Sequence, residues 1–136
     1  MRIRLIARSV LAMLLFAVYA LAAEIDGIWV GQQQGRRGEP EDLAFRFKLD
    51  GQVLTGKMFG DEADLPISEG SFSADQIRFV VITTNYYNGT KTKFIYSGAI
   101  KGGEMELTRE RIQTAEEKAA NRNTAGKQTL KLKRFH

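Results

Sequence analysis

Few residues in this chain have the types and spacing that catalysis or metal binding requires. The sequence contains no cysteine and a single histidine, His136, at its last position. A chain end is often frayed, so His136 is a poor general base or ligand. A Ser-His-Asp or Cys-His mechanism is therefore excluded unless His136 folds inward. We expect a protein that is not an enzyme and that has no catalytic residues, metal or cofactor.

Acidic side chains crowd one predicted loop, where Asp61, Glu62 and Asp64 could offer oxygen ligands to calcium. They lack the spacing and the glycine of an EF-hand loop, so a solvated acidic loop is the better interpretation. Residues 51–57 have the spacing of a phosphate-binding P-loop, but Met58 follows where Ser or Thr should bind magnesium. An enzyme built on carboxylates stays open, because the required separation is a distance in three dimensions.

A set of aromatic residues gives the strongest indication of a binding site. They fall at inward positions of the predicted strands and are Trp29, Phe45, Phe47, Phe79, Phe94 and Tyr96. They could fill a solid core, which is common in small barrels. They could also line an apolar pocket with polar groups at its mouth, the ordinary form of a small-ligand site. We take them as candidate ligand-binding residues, with the filled core as the alternative.

Two loops carry candidate contact residues. Tyr86 and Tyr87 stand beside asparagines at a predicted hairpin tip, and Arg36 and Arg37 lie in the polar segment 32–42. Tyrosine and arginine are enriched at protein interfaces, and loops carry much of a protein's binding function. These four residues are candidate contacts for another protein of the cell envelope. The tyrosines could equally fold back over the end of the domain.

Residues 76–100 are the clearest structural element and predict an antiparallel hairpin. The first arm, 76–84, is rich in β-branched and aromatic residues, which favour strands. In the second arm, large apolar residues alternate with lysine and serine, a period of two. Asn88 and Gly89 lie between the arms and accept positive φ, so the chain can reverse there. A hairpin alone is marginal in water, so it must belong to a larger sheet.

The rest of the chain predicts further short strands joined by turns. Strands are expected at 25–31, 43–49, 52–59, 68–73, 105–109 and 128–135. The segments 32–42 and 60–64 are predicted loops. Thr114 and Glu117 have the spacing of a capping box, and Gly126 can end the helix that they begin. A short helix is therefore predicted before the last strand.

The fold class predicted from this order is all-β. An open sheet of eight short strands, each with one apolar face, would leave two exposed edges. Closing the sheet removes both edges, and about eight strands enclose an interior that side chains fill or that holds one small ligand. We predict an eight-stranded antiparallel up-and-down barrel with one short helix before the last strand. A β-sandwich is the alternative, which the unbroken series of hairpins disfavours.

The start of the predicted barrel resembles a known motif. Gly27 and Trp29 match the Gly-x-Trp opening of lipocalin-like (calycin) barrels, and residues 25–134 are similar to small exported bacterial proteins of uncharacterised function. In lipocalins the tryptophan plugs one end of the barrel, and an arginine from a late strand stacks over it. The resemblance implies that Trp29 is the plug and that Arg109 or Arg134 is the barrel-closing cation. Such a contact is worth about 0.5–2 kcal/mol.

The first residues have the pattern of an export signal. Three arginines precede an uncharged run at 9–23, and the small residues at 20–22 suit a signal peptidase. We predict a cleaved signal peptide at 1–22 and a single barrel domain at 23–136. The apolar run is a little short for a span of about 20 residues, so no membrane span is expected after cleavage. The protein is expected to be exported, to the periplasm or beyond the cell.

Charge and cysteine content limit the classes of partner that we expect for the predicted domain. Removing residues 1–22 leaves 17 basic against 16 acidic residues, which gives little support to nucleic-acid binding. Six basic and no acidic residues follow Glu117, which indicates either an anionic partner or a solvated strand face protected by lysine. Without cysteine the fold must be held by packing alone. We expect a monomer that binds no nucleic acid.

Three functions are consistent with these patterns. The preferred one is an exported non-catalytic binding protein that carries a small apolar or amphipathic ligand inside a lipocalin-like barrel. Its loops at 32–42 and 85–91 would gate the site. The alternative is a solid barrel that acts as a protein–protein interaction module in the cell envelope. An enzyme built on carboxylates is the third hypothesis.

Overall fold

Runs of alternating apolar and polar residues form the strands of this protein, because each such run buries one face and exposes the other. The computed structural model describes residues 24–35, 37–60, 64–121 and 126–136. The strands are β1 (Gly27–Gln34), β2 (Pro40–Asp50), β3 (Val53–Gly60), β4 (Asp64–Pro66), β5 (Ser68–Ser73), β6 (Gln76–Thr84), β7 (Lys91–Lys101), β8 (Glu104–Ile112) and β9 (Gly126–Arg134). The helix α1 (Ala115–Ala119) lies between β8 and β9.

The strands close into a barrel because the last one, β9, pairs with the first, β1. Apart from β4 and β5, each strand also pairs antiparallel with its neighbours in the sequence. The short β4 and β5 both pair with β3 and together take one place in the barrel. Between them, the Ile67 N–H donates to the Gly56 carbonyl at 3.0 Å and keeps the chain attached to β3. The predicted eight-stranded antiparallel barrel is confirmed, and the sandwich is excluded.

The core lies inside the barrel and is apolar. On β2 the residues predicted to face inward are all buried: Leu43, Phe45, Phe47 and Leu49. Burying one such side chain fully contributes about 1.5–3 kcal/mol relative to leaving it exposed. Across the described ranges, no polar or charged residue is buried. The alternation read from the sequence therefore decided which face of the sheet turned inward.

The prediction of a long loop at 32–42 was wrong in its extent. β1 continues to Gln34 and β2 begins at Pro40, so the loop is short. The polar ends of the two strands stay in register, and the Gln32 side-chain amide donates to Asp42 Oδ1 at 3.1 Å. Backbone ladder bonds do not require apolar side chains, so the hairpin persists where its residues face water or a polar cavity.

The short helix begins where its capping box predicted. The Glu117 N–H donates to Thr114 Oγ1 at 3.1 Å, and the Thr114 N–H donates to Glu117 Oε2 at 3.1 Å. The helix ends at Ala119, earlier than the glycine signal at Gly126 suggested. Asn121 follows with a φ of 55°, a left-handed conformation typical of helix ends. Gly126 instead opens β9.

Some predictions concern residues outside the described ranges. The predicted signal peptide at 1–22 and the acidic pair Asp61 and Glu62 lie there, as does the candidate contact Arg36. Of the helices in the described ranges, none is long and apolar enough to cross a bilayer. Export and the cleavage site stay predictions.

Candidate functional site

One end of the barrel, here called the closed end, is plugged by the completely buried Trp29. Its indole Nε1 donates to the Ile25 carbonyl at 3.0 Å, and the Arg134 guanidinium lies 4.8 Å from its ring centroid. Arg134 Nη1 also donates to the Asp26 carbonyl at 2.8 Å. Asp26 Oδ1 in turn accepts a bond from the Leu49 N–H at 2.7 Å. Of the two candidate cations, Arg134 is therefore the one that covers Trp29.

Four aromatic rings fill the middle of the barrel above this plug. Phe79 and Tyr96 stack at a centroid separation of 4.9 Å, and Phe45 meets Phe79 edge-on at 5.1 Å. Phe47 completes the group by stacking on Phe45 at 5.4 Å. All four side chains are buried. We call them the aromatic cluster, and their mutual contacts leave the middle of the barrel filled.

The opposite end opens into a cavity of about 940 Å³, here called the open-end cavity. Its apolar surface is formed by Met58, Val81, Phe94 and Tyr96. Polar side chains from four strands face the same space: Gln33, Thr83, Thr92 and Arg109. Ligand sites of small molecules are commonly about 300–1,000 Å³, mostly apolar, with a few convergent polar groups. The open-end cavity has a volume in this range, and its lining is more polar than that of such sites, because most of the side chains around it are polar.

Sequence-predicted ligand-binding residues divide between these two regions. Phe94 and Tyr96 border the open-end cavity. Trp29 belongs to the closed end, while Phe45, Phe47 and Phe79 belong to the aromatic cluster. A ligand in the open-end cavity would rest on the cluster through Tyr96. Direct ligand contact by the deeper aromatic residues stays a prediction.

Arg109 is the central charged group of the open-end cavity. It lies opposite Tyr96 in the register of β7 and β8, and its guanidinium carbon is 4.7 Å from the Phe94 ring centroid. Its Nη1 donates to Gln33 Oε1 at 2.8 Å. The side chain is half-buried. Arg109 is thus held in one orientation by aromatic and amide groups at the bottom of an open cavity.

The phenol of Tyr96 is the titratable group at the base of this cavity. Burial raises the pKa of Tyr96 above its ordinary value, although the nearby Arg109 guanidinium and its hydrogen bond oppose that shift. The hydroxyl also lies 3.8 Å from the Met58 sulfur, as a donor to it. Near neutral pH the phenol is therefore protonated and can donate or accept a hydrogen bond.

A second arginine of β8, Arg111, also borders the cavity but has a carboxylate partner. Its Nη2 and Nη1 donate to the two oxygens of Glu117 at 2.8 and 3.2 Å. Glu117 belongs to α1 and also completes the capping box of that helix. The ion pair therefore attaches the helix to the barrel wall beside the cavity. The Glu117 carboxylate therefore balances the positive charge of Arg111 within the chain.

The loop candidates reach the rim of the same cavity. Tyr86 and Tyr87 are each 94% exposed and contact each other edge-on at 5.6 Å. Arg37 borders the cavity from the β1–β2 turn, where its backbone N–H donates to Glu39 Oε2 at 2.9 Å. Asn85 Oδ1 accepts a bond from the Tyr87 N–H at 2.8 Å and holds the other loop. The structure thus brings both predicted gating loops to one opening.

A second depression lies on the outside of the barrel. It has a volume of about 830 Å³ and is bordered by Val30, Ala44 and Phe59, with Lys131 and Lys133 nearby. These residues face solvent, on the opposite side of the sheet from the core. Gln32 and Asp42, which are hydrogen-bonded to each other, also border the depression. A ligand there would lie on the outer surface of the barrel and stay exposed to solvent, so we favour the open-end cavity as the functional site.

Sequence reasoning missed the polar wall of the cavity. Gln33 and Glu41 were assigned to a loop, and Thr83 and Thr92 were taken only as strand residues. A signal for the wall was present on β8, whose inward face changes from Met105 and Leu107 to Arg109 and Arg111. Such a change along one face of a strand marks the end of the apolar interior.

Neither a metal centre nor a phosphate loop is built from the described residues. No group of three or more His, Cys, Asp or Glu side chains in these ranges could hold a metal ion. Asp64 instead pairs with Lys57 at 3.2 Å, and residues 51–57 form the β2–β3 turn and part of β3, with no helix following. Comparisons with models of known families, with curated proteins and with solved structures found no match for this chain.

Proposed function

We propose that this chain is an exported, non-catalytic binding protein that holds a small apolar or amphipathic molecule in its open-end cavity. The observation that carries the proposal is the cavity itself, about 940 Å³ with both apolar and polar side chains on its wall. Rigid strands place these groups, so the site needs little ordering when a ligand binds. The proposed site is shallower than the whole barrel, because the aromatic cluster occupies the middle.

The proposed lipocalin-like relationship is supported by the closed end. Trp29 of the first strand is covered by Arg134 of the last strand, at 4.8 Å from the ring centroid. The register of β1 and β9 places these two residues opposite each other, so barrel closure and the cation–π contact depend on the same strand pair. The proposal of export rests on the basic and apolar pattern of the first 22 residues.

Native mass spectrometry of the protein purified from its own host tests ligand binding directly. We expect co-purifying mass of small-molecule size on the wild type. Thr83→Trp should remove it, because Thr83 lies inside the cavity and a large side chain there would occupy the site. Ile82→Trp is the matched control, since the adjacent Ile82 is 44% exposed.

Two results would contradict this function. One is repeated absence of bound mass together with no change in melting temperature across a panel of lipophilic compounds. The other is equal ligand retention by Thr83→Trp and wild type, which would place the ligand elsewhere. Trp29 fluorescence is a poor probe for this test, because the indole is buried at the closed end.

A second candidate function is favoured by one observation, the exposure of Tyr86 and Tyr87. Each is 94% exposed, and the two rings contact each other, so they form a small exposed aromatic patch. The barrel would then act as an interaction module of the cell envelope, with these tyrosines and Arg37 as contacts. Photo-crosslinking from position 87 in the native host should give a discrete adduct, whereas position 48 on the exposed face of β2 should not. The same crosslinked adducts from positions 87 and 48 would rule out a specific docking surface around the tyrosines.

A further inference from the structure

Arg109 is a half-buried cation that borders the open-end cavity and whose partners in the described ranges are neutral. Its contacts are the amide oxygen of Gln33, the ring of Phe94 and the phenol of Tyr96. In the described ranges the ion pairs are Lys57–Asp64, Lys93–Glu69 and Arg111–Glu117, and Arg109 takes part in none of them. A half-buried guanidinium without a carboxylate favours an anion from outside the chain.

The donors of Arg109 are suited to a planar anion. A guanidinium carries five N–H donors in a fixed fork, which matches the two oxygens of a carboxylate. The contacts with Gln33 and Tyr96 use fewer donors than this, and the face of the guanidinium rests on Phe94. These contacts fix the orientation of the side chain, so a carboxylate would meet donors that are already aimed into the open-end cavity.

The floor of the cavity limits the length of such a ligand. Tyr96 is 1% exposed and stacks on Phe79 at 4.9 Å, so these two rings separate the cavity from the interior of the barrel. A ligand whose anionic group reaches Arg109 therefore keeps its apolar part between this floor and the rim. Phe94 supplies apolar surface for that part.

The charges around the cavity indicate the charge of the ligand. The exposed Glu39, Glu41 and Arg37 border the opening, where solvent screens them and their charges partly cancel. Arg111 at the wall is paired with Glu117. Arg109 therefore supplies one positive charge below the rim without a carboxylate partner in the described ranges, and a single carboxylate on the ligand matches it.

Resting on the proposed function, we infer that the ligand is a compact monocarboxylic acid that enters carboxylate first and is held by Arg109. Its apolar body lies against Phe94, below the loop of Tyr86 and Tyr87. Specificity for an acid over its neutral analogue therefore depends on a single arginine.

Isothermal titration calorimetry with 2-naphthoate and its neutral analogue 2-naphthamide tests the charge requirement. We expect the wild type to bind the acid about tenfold or more tightly than the amide, the size of one charge-assisted hydrogen bond. Arg109→Gln should remove this preference, and Arg109→Lys should keep part of it. Arg46→Gln is the matched control, because Arg46 is exposed on the outer face of β2. Thermal melting of each variant confirms that it is folded.

A comparison of octanoate with dodecanoate tests the length limit. We expect the two affinities to agree within about tenfold, because the added methylenes extend beyond the rim. Burying all four added methylenes would strengthen the binding of dodecanoate by more than about a hundredfold. That result would show that the tail lies inside the barrel, and it would overturn the inference that the ligand is compact. Equal binding of acid and amide by the wild type would overturn the role of Arg109 and leave the proposed function intact. Failure of every probe, with no bound mass from the host, would overturn both.

Discussion

Two arginines from late strands stack on aromatic rings at opposite ends of this barrel, and their surroundings differ. Arg134 lies 4.8 Å from the centroid of Trp29 and donates to the Asp26 carbonyl of the chain. Arg109 lies 4.7 Å from the centroid of Phe94 and donates to a glutamine inside an open cavity. The same contact therefore closes the barrel at one end and leaves a charged group facing a cavity at the other. The second arrangement borders the open-end cavity, which has room for a ligand.

The two ends should differ most in what a large aromatic residue contributes to stability. Trp29→Ala removes a completely buried ring and should lower the free energy of unfolding by about 3–5 kcal/mol. Tyr86→Ala at the open end should change it by less than about 0.5 kcal/mol, because Tyr86 is 94% exposed. Urea denaturation of both variants measures the difference. Similar losses for the two variants would contradict a plug at Trp29.

The next effect concerns close packing of the backbone toward the closed end. A Cβ at Gly98 of β7 would overlap the carbonyl oxygen of Glu106 on β8. Gly98→Ala should therefore cost about 1–3 kcal/mol of unfolding free energy through forced strand displacement. Gly103→Ala is the control, because a Cβ there meets no atom within 4 Å. Equal denaturation midpoints for both variants would show that β7 and β8 can move apart freely.

Replacing each stacked arginine by methionine sharpens the comparison of the two ends. Arg134→Met removes a cation–π contact and a charged hydrogen bond, so we expect a loss of about 2 kcal/mol. Arg109→Met should change stability by less than about 1 kcal/mol, since it also removes a half-buried charge that lacks a carboxylate in the described chain. Chemical denaturation at neutral pH measures both. A larger loss at Arg109 would assign that residue a structural role.

The smallest expected effect is the pH dependence contributed by Tyr96. Burial raises the pKa of its phenol in the folded protein, so the unfolded chain loses this proton first as the pH rises. The stability contributed by the neutral phenol is therefore complete below about pH 10, the ordinary value, and declines above it. Tyr96→Phe should show a shallower alkaline decline in urea midpoint than the wild type. Parallel declines for the two proteins would contradict this role.

Local patterns were enough to predict most of the strands. Leu43 to Leu49 alternate so regularly that only one face of β2 could turn inward, and all the expected positions are buried. Ala74 and Asp75 reverse the chain between β5 and β6 as predicted, with φ values of 48° and 63°. The capping box likewise placed the start of α1 at Thr114. Each of these features depends on residues close together in the chain.

The candidate site was predicted less well, because its parts are distant in the sequence. Phe94, Tyr96 and Arg109 were singled out, but the depth at which the barrel fills was not visible from alternation alone. Gln33 was assigned to a loop because its neighbours are polar, although it completes the wall beside Arg109. Polar residues at the end of a strand look the same in a sequence whether they face water or a cavity.

By itself, the sequence determined the hairpins, the inward faces and the number of barrel strands, since alternation and turn residues act over a few positions. The tertiary structure decided that Arg134 covers Trp29 and that Arg109 faces the open-end cavity. The pairing of β9 with β1 brings together residues 105 positions apart, Trp29 and Arg134. No local pattern encodes that register, because it follows from closing the whole sheet around one packed core.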